Sequence, residues 1–141
     1  MQIQRIQSVY LFLAAVAMAV FAFLPAISFV NDAGAQSIGA LTLCGTTHVM
    51  PLLLCLDALI VVLLLITLFK YRNLSFQLKL CKVNLLLIFT LLATIGIMVY
   101  MQKGQLGWSL VLPFVAIVLV ILAHKGIKHD KKLLSDSDRI R

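Results

Sequence analysis

Four apolar runs divide the chain, and charged residues collect in the connections between them. The most apolar run, Pro51 to Phe69, reads PLLLCLDALIVVLLLITLF and is followed at once by Lys70, Tyr71 and Arg72. As a helix its 19 residues span roughly 28 Å, close to the hydrocarbon thickness of a bilayer. Fourteen of them are Leu, Ile, Val or Phe. Each contributes about −0.3 to −0.6 kcal/mol of insertion free energy near a helix centre, against about +2.5 to +3.5 for one Asp. The balance favours insertion even with Asp57 charged. Lipid is the solvent this segment suits.

The same pattern predicts spans at about 7–25, 83–102 and 106–124 beside 51–69, in one membrane domain covering 1–141. The fold class expected is all-α, a four-helix transmembrane bundle with both ends on the inner side. In the first span Ala15, Ala19, Ala22 and Ala26, with Ser8 on the same stripe, present small residues that let a neighbouring helix approach within the monomer. Residues 31–49 form a polar outer loop without Lys or Arg. Partial alternation in Ile27–Val30 and Ala40–Leu43 makes a short β-hairpin available there. Pro51 suits the first turn of its helix. The inner loop, 70–82, alternates Leu74, Phe76, Leu78 and Leu80 with polar residues and is expected to lie on the membrane surface. Lys103 to Gly107 is a short turn that makes the third and fourth helices antiparallel neighbours. Pro113 is expected to kink the fourth span by removing a backbone bond to the Ser109 carbonyl. The tail, 125–141, is expected to remain helical for a turn or more. No repeat or heptad array is evident.

Charge adds the threading. The chain is 62% hydrophobic and 12% charged, with 12 Lys and Arg against 5 acids. Arg5, the four bases of 70–82 and the six of the tail all fall on one side of a four-span arrangement, and only Lys103 falls on the other. By the positive-inside rule that side is cytoplasmic, which predicts a bacterial inner-membrane protein with both termini inside. Tyr10 and Tyr71 then sit at the inner interface, Tyr100 and Trp108 at the outer one, where amphipathic rings prefer to be. The basic excess is thus accounted for by topology, and no nucleic-acid partner is expected. Ala33-Gly34-Ala35 resembles a leader-cleavage site, but the apolar stretch up to Val30 is too long for a signal peptide, so it is read as a retained anchor.

Candidate chemistry is sparse. Asp57 is the one ionisable residue well inside a span, about six residues from the outer end of its helix, and an intramembrane acid is a functional candidate by default. Desolvation penalises its charged form. Antiparallel counting brings Thr94 and the Ser109–Pro113 region to its level, so it can donate to Thr94 or to the Ser109 carbonyl. It acts either as a proton- or cation-coupling group or as a neutral pin between helices. Cys44, Cys55 and Cys81 lack the C-x-x-C pairing of disulfide-generating membrane proteins, although a Cys44–Cys55 bridge is conceivable. Cys44 and His48 alone do not make a metal site. No phosphate loop, zinc-protease motif or nucleophile elbow occurs. No cofactor, metal or enzymatic activity is expected.

Three short motifs carry a family resemblance. The opening Ile3-Gln4-Arg5-Ile6-Gln7-Ser8-Val9-Tyr10-Leu11, the mid-chain Leu80-Cys81-Lys82-Val83-Asn84 and the close Asp136-Ser137-Asp138-Arg139-Ile140-Arg141 resemble domain-of-unknown-function family 4293, small membrane proteins of Bacteroidetes. The resemblance implies a four-span inner-membrane protein and no particular activity. Some relatives carry the label of transcription termination factor Rho, which this chain, without a phosphate loop or an RNA-binding fold, does not suit. All three motifs fall on the inner side. Arg5, Arg72, Lys82, Asp136, Asp138, Arg139 and Arg141 therefore form a candidate cytoplasmic cluster that docks anionic lipid head groups or a protein partner, either another protein or a second copy of the chain. The function expected is a non-enzymatic accessory or scaffold component. The alternative is a small proton- or cation-coupled transporter or channel subunit using Asp57.

Overall fold

The computed structural model describes residues 2–31, 34–39, 48–49, 51–70 and 72–140. Helix α1 (Gln2–Phe23) leads into strands β1 (Pro25–Asn31), β2 (Gly34–Gly39) and β3 (His48–Val49). Then come α2 (Pro51–Phe69), α3 (Leu74–Gln102), the short strand β4 (Gln105–Leu106), a 3-10 turn at Trp108–Leu110, and α4 (Val111–Arg139). All four helices are long and apolar enough to cross a membrane. They form a ring in which α1 packs on α2 and α4, and α3 packs on the same two.

Each helix turns one narrow seam inward. The buried positions are Gln7, Leu11, Ala14, Met18 and Phe21 on α1, and Leu53, Asp57, Ile60, Leu64 and Thr67 on α2. On α3 they are Gln77, Cys81, Asn84, Ile88, Leu91 and Ile95, and on α4 Pro113, Ala116, Val120, Ala123, Ile127 and Asp130. Steps of three and four alternate along every seam. That 3.5-residue period is the heptad of left-handed helix packing, and it corrects the expectation that the chain holds no heptad array. The period escapes a reading of hydropathy because the outward positions (Phe12, Val16, Leu59, Val62, Leu86, Phe89, Val118) are as apolar as the inward ones. On α1, Ala15 and Ala22 are buried beside the seam, Ala26 is buried just beyond the helix, and Ala19 and Ser8 are half-buried.

One end of the bundle carries the sheet. Its strand order is β3-β2-β1-β4, with β1 antiparallel to both β2 and β4 and β2 parallel to β3. Ile27 pairs with Ile38, and both are buried over the core. The first strand of the expected hairpin is present. Its partner is Gly34–Gly39, whereas Ala40–Leu43 lie outside the described residues. The α3–α4 turn lies tightly against β1. Lys103 takes a left-handed conformation (φ 50°) and closes α3 by donating its N–H to the Val99 carbonyl. The Gly107 N–H donates to the Ala26 carbonyl at 2.9 Å. A side chain at Gly107 would sit 2.6 Å from the Pro25 carbonyl oxygen, so only glycine permits this approach.

Two local expectations need correction. Helix α3 starts at Leu74, so the connection from α2 is residues 70–73 and most of the expected inner loop is helical. Leu74, Gln77, Leu78 and Cys81 repeat at helical spacing and turn toward the bundle, which overrides the two-residue alternation. Pro113 lies in the first turn of α4, where a missing N–H has no helical partner to lose, so it helps begin the helix instead of bending it. The tail is helical as far as Arg139, and every described residue from Lys131 onward is exposed.

Candidate functional site

Among the described residues the polar side chains of the seams occupy two levels, beside a buried Ser109 and a buried, unpartnered Nδ1 of His124. Toward the sheet end, Asp57 on α2 is 1% exposed and its Oδ1 has no hydrogen-bond partner. Toward the end rich in lysine, called here the basic end, two interhelical contacts form. The Gln7 side-chain amide donates to Asp130 Oδ2 at 2.6 Å, joining α1 to α4 with both groups buried. The Asn84 amide donates to Thr67 Oγ1 at 3.3 Å, joining α3 to α2, while that hydroxyl donates to the Leu63 carbonyl at 2.6 Å. Asn84 Oδ1 is buried without a partner.

From the Thr67–Asn84 contact, antiparallel counting places Asp57 level with Thr94. The two do not meet. The Thr94 hydroxyl is half-buried and donates to the Thr90 carbonyl at 2.8 Å, within its own helix. Ser109 is fully buried, but its hydroxyl donates to the Pro25 carbonyl at 2.6 Å and so ties the start of α4 to β1. Pro113 is buried in the first turn of α4. Asp57 and Thr67 are ten positions apart on α2, about 15 Å of helix, and the seam there is filled by Ile60, Leu64, Ile88, Leu91, Val120, Leu11 and Ala14.

The structure brings Arg72 of the predicted charged cluster beside two bases that were not part of it. Arg72, Lys79 and Lys131 line one hollow of about 420 Å³, bringing the α2–α3 turn beside the start of the tail. Lys82 is exposed on α3, and Asp136, Asp138 and Arg139 are exposed on the tail. Arg5 lies in the opening turns of α1, and Arg141 lies outside the described residues. Cys55 is an exposed free thiol and Cys81 a buried one, while Cys44, and with it the Cys44–Cys55 pair, lies outside the described residues. Among the described residues no group of three His, Cys, Asp or Glu is placed to hold a metal ion.

Sequence reasoning missed Gln7, Gln77 and Asp130 and undervalued Thr67 and Asn84. A signal was there: Gln77 and Asn84 are seven residues apart, and Asp57 and Thr67 are ten apart. Polar residues recurring at heptad intervals within apolar helices mark the side that faces protein.

The sequence pattern of the family described as Domain of unknown function (DUF4293) matches residues 3–140. The chain belongs to that family. No curated protein and no solved structure shows a significant match. Among its described residues the DUF4293 chain therefore presents a four-helix bundle with apolar outer faces, a sheet over one end, two polar clamps near the other and one isolated buried acid.

Proposed function

We propose that this DUF4293 protein is a non-enzymatic accessory or scaffold component of a bacterial inner membrane, with both termini and the α2–α3 turn in the cytoplasm. Ten of the 11 described Lys and Arg residues lie at the basic end, all but Lys103, and by the positive-inside rule that end faces the cytoplasm. The observation that carries the scaffold reading is the long helical tail. From Lys131 to Ile140 it is exposed on all sides, with Leu133 and Leu134 bare beside Lys132, Asp136, Asp138 and Arg139. A rigid helix with an unfilled leucine pair and charges of both signs offers a partner an apolar strip with a polar rim. The clamps below it, Gln7–Asp130 and Thr67–Asn84, hold α4 and its neighbours in one arrangement, which suits a platform.

A second reading, a proton- or cation-coupled transporter subunit, is favoured by Asp57, a buried acid with an unpartnered oxygen. Its weakness is the filled apolar seam between Asp57 and Thr67, which leaves an ion no polar station for about 15 Å. The test is a pair of measurements. Protein reconstituted in vesicles with a trapped pH dye should pass no more protons than empty vesicles, and Asp57→Asn should change nothing. A photo-crosslinker at position 134 should give one discrete adduct in cells, and one at the outward position 118 none. Proton flux lost in Asp57→Asn would overturn the scaffold reading in favour of the transporter.

A further inference from the structure

Between α3 and α4 a cavity of about 240 Å³ is lined by Cys81, Lys82, Leu85, Val120, Ile121 and His124. Its position along the helices is distinctive. Lys82 is the last charged residue before the apolar stretch of α3, and Lys125 is the first after that of α4. The cavity thus straddles the level at which both helices pass from hydrocarbon to charge. Leu85, Val120 and Ile121 form its apolar side and Lys82 its charged side, and Lys128, outside the lining itself, stands one helical turn beyond His124 on α4. Both lysines lie close enough to His124 for their charges to act on it. The nearest acid on α4, Asp130, is engaged with Gln7 on the α1 side and is 7% exposed, so it does not neutralise this charged side. Uncompensated cations above an apolar slot complement one ligand chemistry: an acyl chain ending in a phosphate.

We infer that the α3–α4 groove is a binding site for an anionic phospholipid, its phosphate between Lys82 and Lys128 and one acyl chain against Leu85, Val120 and Ile121. Unlike general attraction to the leaflet, this site needs two particular lysines and an open slot. It rests on the cytoplasmic placement of the basic end in the proposed function and names a groove there for the anionic head groups that the basic cluster is expected to meet. Headgroup and chain act together, so the ligand is a lipid and not a free phosphate.

The purified full-length protein, in micelles of a neutral detergent, is titrated with phosphatidylglycerol or with phosphatidylcholine of the same chains, and bound lipid is counted by native mass spectrometry. Wild-type protein should prefer phosphatidylglycerol. Lys82→Gln/Lys128→Gln should lose that preference by roughly 25-fold, about fivefold for each lysine near a membrane surface. Lys131→Gln/Lys132→Gln, with the same change of net charge in the exposed tail, should keep most of it. Val120→Trp, which fills the slot, should reduce retention of phosphatidylglycerol, and an unchanged far-ultraviolet circular dichroism spectrum reports that each variant stays folded. Glycerol 3-phosphate at the same concentration should not compete. Equal retention of the two lipids, equal loss in both lysine pairs, full retention by folded Val120→Trp, or competition by glycerol 3-phosphate would each overturn the site. None of these outcomes bears on the tail crosslink or the flux measurement, so failure here is separable from failure of the scaffold reading.

Discussion

Replacing Gln7 with Leu probes the contact that closes the bundle ring between its first and last helices. The lost bond is 2.6 Å long, between an amide 4% exposed and a carboxyl 7% exposed. A hydrogen bond to a charged acceptor is worth about 1.5–3 kcal/mol in water-soluble proteins. Interhelical bonds in lipid average about 0.6 and reach about 1.7, because separated helices find other partners. Asp130 lies beyond the apolar part of α4 among Lys128, Lys131 and Lys132, so its separated state resembles the aqueous case more than the bilayer centre. The pair should therefore couple by about 1–2 kcal/mol, toward the upper end of the membrane range. Gln7→Leu alone should cost about 1–3 kcal/mol, since Asp130 is left buried without its donor. Gln7→Leu/Asp130→Leu should recover most of that loss, because removing both partners strands neither. Cys81 supplies the assay: it is 1% exposed beside the α3–α4 groove, so a thiol reagent too bulky for the groove reaches it when α4 swings away. In a Cys44→Ser/Cys55→Ser background its labelling rate follows the opening equilibrium, and about 1.4 kcal/mol is tenfold. A coupling below about 0.3 kcal/mol, within ordinary additivity, would refute the argument. So would a double variant that labels faster than Gln7→Leu.

Gly107→Ala should lower the denaturation midpoint in a detergent titration, at a cost of about 1–3 kcal/mol. Its Cβ would meet two backbone oxygens, at 2.6 and 2.9 Å, that cannot swing aside; an unchanged midpoint would contradict the close approach of β1. Gly126→Ala meets Gln7 Cγ at 2.9 Å, in a side chain that Asp130 holds in place, so it should cost about 1–3 kcal/mol. That cost should vanish in a Gln7→Ala background; if it persists, the contact is not its source. Asp57→Leu removes a buried oxygen that has no partner and should stabilise the fold by about 1–3 kcal/mol. A loss of stability by the same titration would mean that Asp57 pins a neighbour after all.

What the sequence by itself determined about this protein follows from transfer energies and local chain chemistry. The apolar runs specify four helices long enough to cross a bilayer, the short Lys103–Gly107 turn makes α3 and α4 antiparallel, and Pro51 opens its helix. These properties depend on which residues stand near one another in the chain. The facing of each helix does not. Hydropathy measures escape from water, and a leucine escapes equally into lipid or into a protein core, so Leu64 inside and Leu65 outside look alike. Only packing separates them, which is why the heptad seams, and the polar residues that belong to them, came with the tertiary structure. The same holds for Pro113, whose role depends on where α4 begins, and that start is set by Ser109 and Gly107 bonding to the far-off Pro25–Ala26 segment. Gln7 and Asp130 stand 123 positions apart, and no pattern within either helix announces the other. Ring closure alone brings them together.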